Sequence, residues 1–370
     1  MVSSGLEGVV AATTHLSHVD GERGELTIAG FPVDQLAEYA TFEETTWLLW
    51  HGDLPSATQL DAFRGALAAA RGVPDGTIGL LHDCARHQVG AMDALRMAAG
   101  TLSLEAHGAP GIIAGLPTIV ASYWRLQHGQ DPLAPRTDLD HAANFLYMLT
   151  GEPPEPERVR GLETYLNTVV DHGLNASTFT VRVITSTGSD LVSAVAGALG
   201  ALKGPLHGGA PGPALDMVFE IADAARAGEV VRRKLEAGER LMGFGHRVYK
   251  VRDPRADVLA KAAERMFTRA GDMSLYTLAR AVEVEALRLL EAFKPGRRLQ
   301  TNVEFYTALL LHGLGLHPSL FTPTFAISRV SGWIAHAFEQ QRSNRIIRPQ
   351  SEYTGPRDRK WVPLSLRQEL

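Results

Sequence analysis

The stretch STFTVRVITST, Ser177–Thr187, decides between two fold classes. Seven of its eleven residues are β-branched and they nearly alternate, so propensity alone makes it a strand. Working outward, almost everything around it has a helical period instead. Downstream, DLVSAVAGALGALKG opens on Asp190 as an N-cap and sets Leu191, Val195, Ala198 and Leu202 on one stripe. Gly197 and Gly200 give that helix a small-residue surface on which another helix, including one from a second subunit, packs closely. Upstream, Thr41 and Glu44 form a capping box opening TFEETTWLLWHG, with Gly52 as its C-cap. Ser56 and Gln59 repeat the device, and Leu60, Phe63, Leu67 and Ala70 then share a face. Leu275, Leu278, Val282, Ala286, Leu289 and Phe293 form a further core stripe, and TGEPPEPERV (Thr150–Val159) is a loop between helices. GERGELTIAG (Gly21–Gly30) reads as a small β-hairpin. The chain is therefore mainly α, with Ser177–Thr187 a strand on propensity alone, a weak guide against that background.

Its 370 residues exceed the usual size of a single core and predict two domains. With 45% apolar and 21% charged residues and a net charge of −5, nothing points to a nucleic-acid partner. One cysteine, Cys84, excludes an internal disulfide and a cysteine zinc cluster and fits a cytoplasmic location. No signal peptide and no apolar run of about 18 residues occurs, so no membrane association is expected. The fourteen histidines are scattered and contain no His-Glu-x-x-His, so no metal or other cofactor is inferred.

Four segments embed ionisable residues among small or turn-forming ones. They are GPLHGGAPGPALDMV (Gly204–Val218, with His207), DHGLNAST (His172), GFGHRVYKVRDPR (His246, Arg247, Lys250, Arg255) and TNVEFYTA (Glu304). Glycines let the backbone approach a ligand and reach positive φ. Two histidines on such turns plus a carboxylate in an apolar run suit abstraction of a proton next to a carbonyl, with imidazoles polarising the carbonyls. Separation along the chain leaves open whether these groups converge.

In order and spacing, GPLHGG, GFGHRVYKVRDPR, NVEFYTALLLHGLG, FAISRVSGWIAHAFEQ and RIIRPQSEYTG resemble the signature blocks of the citrate synthase family, which includes 2-methylcitrate synthases. The resemblance runs from Gly5 to about Pro363. It implies a citrate synthase-like helical homodimer with a large domain of residues 1–209 and 316–370 and a small domain of residues 210–315, closing on oxaloacetate and then an acyl-CoA. It implies that Ser177–Thr187 is helical. His207 is similar to the residue that hydrogen-bonds the thioester oxygen, His246 to the one that polarises the oxaloacetate ketone, and Glu304 to the general base. His172, Arg255 and Arg329 resemble oxaloacetate ligands, and Arg348 resembles the arginine that reaches the partner subunit's site. Gly243, Phe244, Gly245, Arg247 and Lys250 resemble the loop beside CoA.

Two departures stand out. The family's base is an aspartate in NVDFY, where this chain has Glu304; one more methylene moves the carboxylate by about 1 Å, enough to cost roughly a hundredfold in rate. After HGG the family continues Ala-Asn-Glu-Ala, whereas Ala210 here is followed by Pro211, Gly212 and Pro213, which removes two backbone donors. The main reading is an acyltransferase forming citrate from acetyl-CoA or a related acyl-CoA. The alternatives are 2-methylcitrate synthesis from propionyl-CoA and an impaired homologue that binds oxaloacetate or CoA as a sensor or partner.

Overall fold

The structure, a computed structural model, describes residues 4–104, 108–208 and 211–367. The sheet comes first, as β1 (Ser17–Asp20), β2 (Glu25–Ile28) and β3 (Phe31–Pro32), all antiparallel, with Ser17 opposite Ile28 and Asp20 opposite Glu25. Helices α1 (Val33–Tyr39), α2 (Phe42–His51), α3 (Ala57–Ala69), α4 (Asp75–Arg86), α5 (Ala91–Ala99) and α6 (Gly108–Gln127) follow. Next come α7 (His141–Thr150), α8 (Pro156–Val169), α9 (Ala176–Ser186) and α10 (Leu191–Leu202). The series α11 (Pro211–Ile221), α12 (Ala227–Glu236), α13 (Pro254–Ala270), α14 (Ser274–Phe293) and α15 (Val303–Gly313) leads to α16 (Phe321–Arg342).

Both capping boxes form, and Gly52 ends α2 at a φ of 91°, a conformation that favours glycine. The hairpin has its turn and second strand inside the expected stretch Gly21–Gly30 and begins four residues before it. Asp20 Oδ1 accepts from the Glu22 and Arg23 amides at 3.0 and 2.9 Å, so the chain reverses over residues 21–24 and the first strand lies before Gly21. This turn reaches further into the molecule. A Cβ on Gly21 would overlap the Val248 carbonyl, and the Gly21 carbonyl accepts from the Lys250 amide at 2.9 Å.

The strand expected at Ser177–Thr187 is a helix, α9. Asn175 caps it by accepting from the Thr178 amide at 3.1 Å, and Thr178, Val181, Arg182 and Thr185 turn inward at helical spacing against α10 and α16. The β-branched residues follow tertiary packing, which outweighs a propensity difference of a few tenths of a kcal/mol per residue. At the centre α16 is buried from Pro323 to Ala337 and packs on α2, α6, α8, α9 and α10. Helices α11–α15 pack chiefly on one another, α13 on α15 and α12 on α14. Gly209 and Ala210 lie outside the described residues. Pro211 and Pro213 fall in the first turn of α11, where amides have no intrahelical acceptor, so the missing donors leave that helix intact.

Candidate active site

Three turns and two helices meet around the guanidinium of Arg329, on α16. Arg329 is 1% exposed, and its Nε donates to the Val169 carbonyl at 2.6 Å. Burial lowers its pKa to about 10, opposed by the negative charge of Asp171. The same guanidinium acts electrostatically on His172, His207, Glu304 and Tyr165, and it repels Arg255. Groups from residues 165 to 329 thus share one neighbourhood, which separation along the chain leaves open.

His246 sits on the loop before α13. Its Nδ1 accepts from the Val248 and Tyr249 amides, both at 3.1 Å, so the ring proton of the neutral imidazole resides on Nε2. Burial, reinforced by the charge of Arg255, pulls its pKa down to about 4, which leaves it neutral at pH 7. Nε2 lies 3.4 Å from Nη2 of Arg255. Two donors facing one another at this distance mark a place for an acceptor oxygen. Arg255 is buried, with its Nε and Nη2 on the two oxygens of Asp253 at 3.0 and 2.8 Å. His172 joins the group from the 171–173 turn, its ring 5.5 Å from that of His246 and its Nε2 3.1 Å from the Tyr249 hydroxyl. Burial and the Arg255 charge hold its pKa well below the usual histidine range.

His207 approaches from the turn after α10. Its Nε2 lies 3.4 Å from the Ser177 amide, which donates to it, and 2.8 Å from the Ser177 hydroxyl. That hydroxyl also accepts from Trp333 Nε1 at 3.1 Å and lies 2.8 Å from Asn175 Oδ1, so its proton serves one acceptor at a time. Accepting at Nε2 leaves the imidazole proton on Nδ1. Burial, with the Arg329 charge, lowers this pKa to about 4 as well. The turn is anchored by Thr322 of α16, whose hydroxyl donates to the Gly208 carbonyl at 2.9 Å.

Glu304 occupies the first turn of α15. Asn302 caps that helix, accepting from the Glu304 amide at 3.0 Å and donating through Nδ2 to the Gly245 carbonyl at 2.8 Å. One side chain therefore ties the carboxylate helix to the residue before His246. Glu304 keeps part of its surface open, yet its crowded surroundings strip water from the carboxylate and raise its pKa to about 7, against the pull of Arg255 and Arg329.

Residues 243–245 bridge to 300–302. The Gly243 carbonyl accepts from the Asn302 amide at 3.0 Å and the Gly245 amide donates to the Gln300 carbonyl at 2.7 Å. In this antiparallel pattern the Phe244 amide and carbonyl face the opposite side. The Phe244 ring is 4% exposed and packs 5.3 Å from Phe305, a core position. Arg247 and Lys250 are exposed, Arg247 with Nη2 4.0 Å from Glu7. Arg348 stands apart, exposed on the extended segment beyond α16, whose Ile347 amide donates to Ser186 Oγ at 3.0 Å. Among the described residues no group of three or more His, Cys, Asp or Glu is placed to hold a metal ion.

Motif and spacing do not single out four residues on which the site depends: Ser177, Tyr249, Asp253 and Asn302. Asn302 and Asp253 each precede a helical run, the position of an N-cap, and that is the one signal either offers.

A family model described as citrate synthase, C-terminal domain, matches residues 5–350. The chain is 41% identical over 379 residues to a citrate synthase of Haloferax volcanii, covering 98% of each. It is 37% identical to a 2-methylcitrate synthase of Shewanella oneidensis, covering 99% of this chain and 98% of the relative. Among solved structures, a citrate synthase of Thermoplasma acidophilum in ternary complex with carboxymethyl coenzyme A and oxaloacetate superposes with a TM-score of 0.91 at 30% identity, covering 99% of this chain and 100% of that one.

Proposed function

The chain belongs to the citrate synthase family, and from that premise we propose how its residues carry out the family's condensation. It is an enzyme of citrate synthase type that joins an acyl-CoA to oxaloacetate and releases CoA. The observation that supports the residue assignments is the grouping of two neutral imidazoles and a carboxylate of pKa about 7 around two buried arginines, with His207 and Glu304 beside Arg329 and His246 and Glu304 beside Arg255.

Oxaloacetate binds first. Its carboxylates meet Arg329, Arg255 and His172, and its ketone oxygen lies in front of His246 Nε2 and Arg255 Nη2, accepting from both. Guanidinium groups suit this because their forked donors match a carboxylate. Glu304 then removes a proton from the α-carbon of the acyl group, next to the thioester carbonyl. Its pKa is matched to neutral pH, where a general base works best. His207 donates from Nδ1 to the thioester oxygen as the enol forms. The enol carbon attacks the ketone, and His246 delivers its Nε2 proton to the new alkoxide. Water then hydrolyses the thioester. Neutral imidazoles serve as donors here because burial keeps both pKa values near 4.

Acetyl-CoA is the proposed donor and citrate the product, supported by the 41% identity to named citrate synthases. Release of CoA in the presence of oxaloacetate, compared for acetyl-CoA and propionyl-CoA, tests this: a higher kcat/KM with propionyl-CoA reassigns the enzyme to 2-methylcitrate synthesis. One methylene is worth only about 1–3 kcal/mol of discrimination, so both rates are expected to be measurable. Absence of turnover alongside oxaloacetate binding would make the chain a sensor. Glu304→Asp is expected to raise kcat with acetyl-CoA; an unchanged or lower value means that the site has grown around glutamate.

Residues 1–209 with 316–370 form the proposed large domain and residues 210–315 the small one, which moves over the cleft. Residues 242–250 face the nucleotide end of CoA, with Arg247 and Lys250 exposed and able to meet phosphates. The assembly is a homodimer in which Arg348 enters the partner's site. Its support is the exposed segment after α16, which carries Ile346, Tyr353, Trp361 and Leu364 at 58–78% exposure and starts beside a cavity of about 600 Å³ lined by Ala11, Thr13, Arg182, Gln340 and Ile347. No helix among the described residues is long and apolar enough to cross a membrane, and the setting proposed is the cytoplasm.

A further inference from the structure

We propose that Asp171 is a positioning residue for oxaloacetate binding, clamped by Ser17 of β1 on one side and His336 of α16 on the other so that the His172 turn and Arg329 are held in register. This inference rests on the assignment of His172 and Arg329 to oxaloacetate made above.

The argument begins with the period of α16. Arg329, Gly332, Trp333, His336, Glu339 and Gln340 recur at helical spacing and form one stripe on an otherwise apolar helix. Each member down to His336 addresses the segment 169–177. Arg329 donates to the Val169 carbonyl, and Trp333 donates to Ser177. Gly332 lets the helix lie against Val170 and Asp171; a Cβ there would overlap the Val170 carbonyl and approach Asp171 Oδ1 to 3.0 Å. His336 Nε2 reaches Asp171 Oδ1 at 3.2 Å.

The direction of that last bond is fixed from behind. Arg182 of α9 donates from Nε to His336 Nδ1 at 3.1 Å, so Nδ1 is an acceptor and the ring proton belongs to Nε2, where it is given to Asp171. Arg182 is itself held by an ion pair with Glu339 and by Gln340 Oε1 at 3.3 Å. On the other side, Ser17 Oγ donates to Asp171 Oδ2 at 2.5 Å and accepts from the Gly173 amide at 2.9 Å. Both oxygens of one carboxylate are thus committed to elements more than 150 positions away in the chain.

Asp171 and His336 are each 0% exposed. Burying a charge is expensive, and an apolar replacement would hold helices together as well, so a chain of this kind is explained better by geometry than by stability. What it fixes is next to the ligand groups. His172 follows Asp171 directly, and Gly173, whose amide Ser17 holds, adopts a φ of 58° in the turn that presents the imidazole. The Asp171 charge is also the largest attraction opposing the desolvation of Arg329.

The test separates positioning from scaffolding. Ser17→Ala removes one clamp at the edge of a small sheet and leaves the apolar packing of the core unchanged. Oxaloacetate Kd by calorimetry, and its KM, are expected to rise about tenfold, with kcat at saturation and acyl-CoA KM within about twofold of wild type. Ser17→Thr keeps the hydroxyl and is expected to restore affinity to within about threefold. His336→Leu is expected to match or exceed the Ser17→Ala effect. His336→Gln, which keeps an acceptor for Arg182 and a donor for Asp171, is expected to reverse most of it. Arg329→Gln is the control. If it loses oxaloacetate while Ser17→Ala and His336→Leu bind normally and merely melt earlier, Asp171 is scaffold and this inference alone fails. If Arg329→Gln binds oxaloacetate normally, the ligand assignment falls and this inference with it.

Discussion

Replacing Glu304 with glutamine is expected to lower kcat by about a thousandfold with acetyl-CoA and oxaloacetate, within the range a positioned general base contributes. The amide keeps nearly the shape of the carboxylate and its place on α15, but cannot accept the proton. Oxaloacetate affinity is expected to stay the same or improve, since the dianion then meets a neutral group. Stability gives an independent check. Burial raises the Glu304 pKa above its unfolded value, so its ionised form is disfavoured in the folded protein, and that penalty is fully present above about pH 7 and fades as pH falls toward the unfolded pKa. The glutamine variant should therefore melt no lower than wild type at pH 8. In the wild type the same shift places the acid limb of kcat/KM near pH 7, with activity lost as pH falls through that value. A limb near pH 4.5 would mean that another group is the base.

The second large effect is expected at Arg329. Arg329→Gln should weaken oxaloacetate binding by at least about a hundredfold, as expected when one partner of a buried charged pair is truncated. The buried guanidinium donates from Nε to the Val169 carbonyl, and in the proposed complex an oxaloacetate carboxylate accepts from its remaining donors. Titration calorimetry with oxaloacetate reads this directly. Unchanged affinity would leave Arg255 and His172 as the whole of the carboxylate site. Arg255 is a weaker probe, because Asp253 already occupies both of the Arg255 nitrogens named above.

Much of this was legible in the residues, and the exceptions have physical causes. The capping boxes at Thr41 and Ser56 and the cap at Asp190 are local devices, encoded within four residues, and all form. Segment 177–187 was not legible from propensity, because its helix is imposed by packing on α10 and α16, and by an asparagine cap placed before the segment begins. The turn and second strand of the hairpin fall inside Gly21–Gly30, and only its first strand, Ser17–Asp20, was missed, because Asp20, whose side chain helps to set the turn, lies before the glycines. His172, His207, His246 and Glu304, the residues of the proposed site, stand out in the sequence by lying among glycines or in apolar runs. What fixes their protonation did not. The tautomer of His246 depends on two backbone amides, that of His207 on Ser177, and the pKa of Glu304 on how many atoms crowd it. The Pro-Gly-Pro departure reads differently in place. At the start of α11 proline is tolerated, so the helix gives no reason to expect impairment.

The central claim is that His207, His246 and Glu304 surround one reacting carbon while Arg329, Arg255 and His172 hold oxaloacetate beside it. A crystal structure of this protein with oxaloacetate and carboxymethyl coenzyme A tests it most directly. The expected result places a Glu304 oxygen and His207 Nδ1 within hydrogen-bonding distance of the carboxymethyl group, with His246 Nε2 on the ketone oxygen. A complex in which the carboxymethyl group lies away from Glu304, or in which the imidazoles of His207 and His246 face different cavities, would contradict it.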